Sequence, residues 1–338
     1  MRHPVLRVFM WMLGLSALLG NAFVILWRIK PQQQRTVRER NSIQSILVMN
    51  LAIADGFMGI YMLIIASADV YYRDIYSIYA DQWKSSVPCK LAGVFSVLSS
   101  EASVFFLTII SVDRAYAIML PFSMRKLGQK QLKIIIITTW TVNLLLSFLP
   151  IVPNPYFGNS YYGRSSVCLA LPLTYETPPG YQYAIALLGL NLVAFVIMMV
   201  CYLGIFISVK MSSKSVNAVG KGRSKQIELA TRMAFLIGTD LCCWAPIIIM
   251  GFVALSGVGF IPAEVYVWTA VFILPLNSSL NPYLYTILTR EISKRKKKWP
   301  TTSFSRKQSD VIPSSSASTS HRLTATGRLI HPVLSKAL

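Results

Sequence analysis

The sequence predicts an all-α membrane protein, a bundle of seven helices that cross the bilayer. Three observations predict it. Hydrophobic residues make up 54% of the 338-residue chain and charged residues 14%, against roughly 45–50% and about 25% in soluble domains. The mean hydropathy is +0.52, more apolar surface than a soluble fold can hide. The apolar residues also gather into seven runs, each near the ~20 residues that a bilayer-spanning helix needs.

Span 1 covers residues 8–27. It is longer than the ~7–15 apolar residues of a secretory leader, and no small-residue cleavage site follows it, so it reads as a retained helix. Span 2 covers residues 45–67, span 3 residues 89–118 and span 4 residues 132–151. Span 5 covers residues 181–209, span 6 residues 230–255 and span 7 residues 265–288. Pro150, Pro246, Pro275 and Pro282 fall inside or at the ends of spans. Each removes a backbone donor and marks a kink, hence a hinge candidate.

The formal net charge is +20, a value that would suit a nucleic-acid partner. Its placement argues against nucleic acid. Basic residues cluster after span 1 (Arg28, Lys30, Arg35, Arg38, Arg40) and after span 3 (Arg125, Lys126, Lys130, Lys133). They cluster again after span 5 (Lys210, Lys214, Lys221, Arg223, Lys225) and after span 7 (Arg290 and residues 294–298). The alternate connections carry only Arg73, Lys84, Lys90 and Arg164. Positive charge concentrates on the cytoplasmic side, so the N-terminus is expected outside and the C-terminus in the cytoplasm. Residues 1–290 then form the membrane domain. Residues 291–338 form a basic segment followed by a Ser/Thr-rich tail, polar enough to be largely disordered. That tail is either plain solvated chain or a kinase target.

Charge inside a membrane is costly, ~2.5–3.5 kcal/mol per group at mid-bilayer, which makes each such residue a functional candidate. Asp55, Glu101 and Asp240 are such acids, and Asn21, Asn277 and Asn281 add amides. Asn277, Asn281 and Tyr285 recur every four residues and share one helix face, as do Asp240 and Trp244. A polar stripe cannot face lipid, so these faces must meet inside the bundle. Interhelical glue and a hydrated, rearranging core both fit, and on this feature alone so do a receptor and a transporter. The three histidines, His3, His321 and His331, lie outside the spans, which leaves an intramembrane haem or metal site without its usual ligands. No C-x-x-C pair, phosphate loop or H-E-x-x-H motif is present. Those absences, and the lack of a repeat between halves, weigh against enzyme and transporter readings.

The ordered motifs are more specific. They are G-N (Gly20, Asn21), L-A-x-A-D (Leu51, Ala52, Ala54, Asp55), an early Cys89 and a closing Asp113-Arg114 in span 3. Trp140 follows in span 4, then C-W-x-P (Cys243, Trp244, Pro246) and N-P-x-x-Y (Asn281, Pro282, Tyr285). With these motifs the chain resembles the rhodopsin-like G-protein-coupled receptors from about residue 8 to residue 290. The stretches A-S-A-D-V-Y-Y-R-D and S-S-E-A-S-V-F-F-L-T, the Thr239-Asp240 pair and F-I-L-P-L-N-S-S-L-N-P are similar to the leucine-rich-repeat-containing hormone receptors. The relaxin-receptor branch is nearest and the glycoprotein-hormone receptors are next.

The resemblance implies roles. Asp55, Ser103, Asn277 and Asn281 match a sodium pocket that favours the inactive state, so Na⁺ is the one allosteric ion implied. Asp240 is expected to bond Asn277 or Asn281 and, with Trp244, Pro246 and Pro282, to form the activation core. Arg114, released from Asp113, would face a heterotrimeric G protein of the stimulatory class, supported by Tyr202 and Tyr285. Pro121 and Phe122 match the loop whose apolar side chain enters the Gα subunit. Cys89 and Cys168 are expected to pair, while Cys201, Cys242 and Cys243 read as small core residues. Arrestin and receptor kinases would meet the Ser/Thr tail.

The chain departs from the pattern in several places. Ala115 stands where a tyrosine usually follows Asp113-Arg114, so one loop contact is lost; Gln226 stands where relatives often carry an acid, so a salt bridge from Arg114 to span 6 is not expected and basal activity would be raised. No cysteine follows span 7, and the only N-x-S/T match, Asn277-Ser278-Ser279, lies in a span. The resemblance implies a long ectodomain before span 1, which this chain is expected to lack: few residues precede span 1 and no repeat of roughly 20–29 residues is visible. The chain therefore reads as a hormone receptor, with three alternatives: a truncated receptor or scaffold without its own sensor, a short receptor binding ligand among its helices, or a transporter.

Overall fold

The computed structural model describes residues 4–29, 43–120, 127–158, 161–170, 179–213, 221–256, 262, 265 and 268–284. Among them every regular element is helical. Helix α1 is Pro4–Ile29, α2 Ile43–Tyr71, α3 Tyr76–Ser85, α4 Val87–Met119, α5 Gln129–Phe148, α6 Tyr181–Ser213 and α7 Lys221–Ser256. The last of the described helices, α8, is helical at Val265 and Trp268, contains a π-helical turn over Thr269–Ile273 and is α-helical over 274–284. Spans 1 to 7 correspond to α1, α2, α4, α5, α6, α7 and α8. Among the described residues, five helices are long and apolar enough to cross a membrane, and α7 contributes an apolar segment, Ile237–Val253.

Local chemistry sets the boundaries. Ser86 caps α4 by accepting from the Cys89 N–H at 3.3 Å, and Pro88 sits in the first turn, where its missing donor costs nothing. At the start of α5 the Gln131 side chain accepts from the Gly128 N–H. That helix ends in a 3₁₀ turn, Leu149–Ile151, around Pro150. Pro275 cannot donate to the carbonyl four residues back, and its ring crowds that carbonyl. The chain widens immediately before it, where the Leu274 N–H reaches back five residues to the Thr269 carbonyl.

Helix α4 is the central post, with buried residues along nearly its whole length. Helices α1 and α2 approach so closely that a Cβ on Gly59 would lie 2.6 Å from the Leu18 backbone nitrogen, and one on Gly14 2.9 Å from the Met62 Cβ. An ion pair, Arg7 Nε to Asp69 Oδ2 at 2.6 Å, joins the start of α1 to the end of α2. Helix α5 is held to α2 by the Trp140 indole N–H, which donates to Asn50 Oδ1 at 2.8 Å. Elsewhere the outward faces are apolar: Leu19, Leu145, Val200 and Leu203 are all exposed, as lipid-facing helices require.

The short helix α3 was not expected from the sequence, which marked only a connection between spans 2 and 3. It follows a four-residue turn, Tyr72–Ile75. Ten residues with three tyrosine or tryptophan side chains are too few and too polar to register as a span.

Candidate functional site

Two buried acids organise the middle of the bundle. Asp55, on α2, is fully buried. Its Oδ1 accepts from Ser103 Oγ on α4 at 2.9 Å and from Ser278 Oγ on α8 at 3.0 Å. Its Oδ2 accepts from Asn281 Nδ2 at 2.7 Å. Asp240, on α7, is equally buried and its Oδ1 accepts from Asn277 Nδ2 on α8. Asn281 and Asn277 stand one turn apart on the same face, so α8 presents one amide to each acid. Asn21 completes the set from α1, donating to the Ser278 carbonyl at 3.0 Å. Gly20, its neighbour, packs against the Pro282 ring, which a Cβ would approach to 3.0 Å.

The structure brings Asp55, Ser103 and Asn281 together and gives Asp240 to Asn277. Asn277, expected in the Asp55 pocket as well, turns its amide to Asp240. Ser278 fills the place beside Asp55. The sequence pattern passed over Ser278, although its position between two marked amides was the available signal.

Farther along α4, Asp113 and Arg114 form an ion pair, with the Arg114 Nε donating to Asp113 Oδ2 at 3.0 Å. Arg114 is largely buried. Tyr202, on α6, packs against a small cluster of Ala115, Ile118 and Ile205 beside it. Pro121, Phe122 and Tyr285 lie outside the described residues, as does the 291–338 tail. Arg114 and Cys89 are separated by 25 residues of continuous helix, about 37 Å at 1.5 Å per residue. That exceeds the ~30 Å hydrocarbon layer, so the ion pair and the disulfide lie at opposite faces of the membrane.

At the disulfide end, Cys89 and Cys168 are bonded with a Cα–Cα distance of 5.5 Å. The segment around Cys168 is further stapled by the Tyr61 hydroxyl, donating to the Val167 carbonyl at 2.9 Å. The Trp83 indole adds a second staple, donating to the Ser166 carbonyl at 2.9 Å. Cys168 adopts a positive φ of 53°, unusual for a residue with a Cβ. That turn lets Leu169 and Ala170 dip inward. The Tyr162 ring lies over Gly93, where a Cβ would meet it at 2.2 Å, and its hydroxyl donates to the Ser147 carbonyl at 2.6 Å. Burial pushes the Tyr161 phenol up, against the opposing pull of the Arg164 guanidinium 4.6 Å from its ring centre.

Below this cover lies a small cavity of about 50 Å³. Its polar lining is Ser96, Ser100, Glu101 and Asn191, and Trp244, Leu187, Ile247 and Leu274 form its apolar wall. Glu101 Oε1 accepts from Asn191 Nδ2 at 2.7 Å, which ties α4 to α6. Glu101 Oε2 and Asn191 Oδ1 have no hydrogen-bond partner among the described residues. The Glu101 position was marked as an intramembrane acid, but its partner was missed. Asn191 is a lone amide in an apolar run, and the cost of unpaired polar groups in lipid should have flagged it too.

Comparison with known proteins agrees with this geometry. The family model for the seven-transmembrane receptors of the rhodopsin family matches residues 20–285. The chain is 43% identical over 291 residues to the G-protein coupled receptor GRL101 of Lymnaea stagnalis, covering 86% of this chain and 25% of that protein. It is 35% identical over 286 residues to human relaxin receptor 1 (84% and 37%). To the cat thyrotropin receptor it is 38% identical over 291 residues (86% and 36%). Both hormone-receptor branches named from the motifs therefore appear among the relatives, and the chain spans well under half the length of each. The matched region runs from Gly20, beside the amide that ties α1 to α8, to the end of N-P-x-x-Y: the chain belongs to the rhodopsin family of seven-transmembrane receptors.

Proposed function

We propose that this chain is the signalling membrane domain of a G-protein-coupled receptor. It would carry an extracellular hormone signal across the plasma membrane to a heterotrimeric G protein of the stimulatory class. The single observation that carries the reading is the α8 amide stripe. One turn of helix binds Asp55 on α2 through Asn281 and Asp240 on α7 through Asn277. Helices α2, α7 and α8 are thereby linked by hydrogen bonds that can exchange partners. A ligand shifts such a bundle only through its differential affinity for two packings. The hinge candidates Pro246, Pro275 and Pro282 lie on the two helices that would move.

In this reading the disulfide end faces outward and the basic connections face the cytoplasm. The closed Asp113–Arg114 pair keeps Arg114 from a partner. Activation opens it, and Arg114 then meets the Gα subunit, with Tyr202 and Tyr285 beside it and Pro121 and Phe122 in the adjoining loop. The Ser/Thr-rich tail would take phosphate from receptor kinases and recruit arrestin. Asp55, with the Ser103 and Ser278 hydroxyls and the Asn281 amide, supplies a carboxylate and neutral oxygens, which suit a small hard cation such as Na⁺. Such an ion would add a further restraint on the inactive packing.

The relatives named as hormone receptors are two to three times longer than the matched region, so the hormone would be sensed by a leucine-rich-repeat ectodomain. The test expresses the chain in cells with and without a fused ectodomain of a relaxin receptor and measures cAMP. A hormone-dependent rise in the fusion supports the reading. A fusion that reaches the surface, binds hormone and leaves both cAMP and nucleotide exchange on every Gα class unchanged would make the chain a scaffold.

A further inference from the structure

Helix α3 has three sides of different chemistry. At 100° per residue, Tyr76, Ala80 and Trp83 fall within an arc of about 60°. This is the side turned to the protein: Trp83 is buried, donates to the Ser166 carbonyl and packs 5.9 Å from the Tyr72 ring. Next round the helix come Lys84, Ser77, Asp81 and Ser85, a polar arc of about 100°. The remaining arc, also about 100°, holds Ile78, Gln82, Ile75 and Tyr79. Here Ile78 is 75% exposed and Ile75 and Tyr79 are exposed as well. The exposed Gln82 is the one polar side chain in this arc. The exposed surface otherwise divides into one polar and one apolar side, as happens when two exposed faces meet different solvents.

The tethers fix where the helix lies. Its N-terminal end hangs from α2 by the Tyr72–Ile75 turn, and its C-terminal end joins α4 through Ser86 alone. Both parent helices leave the membrane at these points. A ten-residue helix, about 15 Å long, cannot rise away from the bilayer surface on such short links. The parent helices also carry exposed apolar groups near where they join α3: Tyr71 (74% exposed) at the end of α2, and Val87 (66% exposed) and Leu91 on the first two turns of α4. Tyrosines beside aliphatic groups are the composition of the membrane–water boundary.

We propose that α3 is an interfacial helix, with Ile75, Ile78 and Tyr79 inserted at the headgroup–acyl boundary of the membrane and Ser77, Asp81 and Ser85 facing water. Through Trp83 the same helix grips the segment around Cys168 that covers the cavity, so bilayer contact helps set the position of that cover. The occupant of the apolar side is lipid.

The test places a single cysteine at Ile78→Cys or Asp81→Cys, in a background with Cys201→Ala, Cys242→Ala and Cys243→Ala. Each is labelled with an environment-sensitive fluorophore in phosphatidylcholine nanodiscs. At position 78 the emission should shift to the blue, be quenched by doxyl-labelled lipid, and be quenched several-fold less by aqueous iodide than at position 81. Position 81 should behave in the opposite way. Equal iodide quenching at both positions would put the apolar side in water. Protection of position 78 from both quenchers would put protein there. Either result overturns the proposal, and Tyr79→Cys gives the same reading should Ile78→Cys fail to fold.

Discussion

The Asn277 amide on α8 donates to the Asp240 carboxylate on α7, and both side chains are buried in the middle of the bundle. Interhelical hydrogen bonds within membranes are worth ~0.6–2 kcal/mol, and each 1.4 kcal/mol is about tenfold in an equilibrium. Asn277→Ala or Asp240→Ala should therefore raise ligand-independent G-protein activation by several-fold to about tenfold. Nucleotide exchange on purified Gα, normalised to receptor amount, reads it. Unchanged or lower basal exchange in both variants would remove the restraint from the mechanism.

Asp55 collects hydrogen bonds from α4 and α8. If those oxygens hold sodium in the inactive packing, NaCl should raise the melting temperature relative to choline chloride at equal ionic strength. The stabilisation should be about 1 kcal/mol with sodium several-fold above its dissociation constant. Asp55→Asn should abolish the difference. A sodium effect that survives in Asp55→Asn belongs to another site.

Two glycines of one helix should respond in opposite directions. A Cβ on Gly59 would lie 2.6 Å from the Leu18 backbone nitrogen, whereas one on Gly56 meets nothing within 4 Å. Gly59→Ala must push α1 from α2 and should cost ~1–3 kcal/mol. Gly56→Ala should be neutral or stabilising by up to about 1 kcal/mol, because alanine loses less backbone entropy in a helix. Thermal unfolding of the two purified variants decides, and equal effects would contradict the close packing.

The Cys89–Cys168 bond closes a loop with a sequence separation of 79. Restricting so long a loop in the unfolded chain contributes ~4 kcal/mol on a chain-entropy estimate. Cys89→Ser, Cys168→Ser and the double variant should all lose comparable stability and surface expression. The double variant should be no worse than the singles, because only one bond is lost. Strictly additive losses would mean that the two cysteines act separately.

The helices were legible in the sequence because hydropathy alone dictates them. Their ends moved by a few residues, except for α7, which starts at Lys221 rather than near residue 230. Helical hydrogen bonding continues there past the apolar stretch that hydropathy detects. The acids at Asp55 and Asp240 stood out because charge in a membrane is expensive. Which amide serves which acid was not legible. Asn277 and Asn281 share a helix face and differ only by one turn of height. Choosing between them requires the axial offset of α2 and α7, which no local pattern encodes. Asn191 and Ser278 were missed because a single amide or hydroxyl in an apolar run is a weak signal until its partner is known. Helix α3 was missed for a third reason: its chemistry is divided three ways, and neither hydropathy nor a two-sided amphipathic pattern registers it.

In the proposed mechanism Arg114 transmits the rearrangement of this core to a G protein. The most direct measurement is GDP–GTP exchange on a panel of heterotrimeric G proteins, catalysed by purified receptor in nanodiscs. It compares Asn277→Ala with Asn277→Ala combined with Arg114→Ala. The first should accelerate exchange on at least one Gα class. The second should return it to the receptor-free rate while folding and surface expression are retained. Accelerated exchange that persists without the Arg114 guanidinium, in a folded receptor, would contradict the claim.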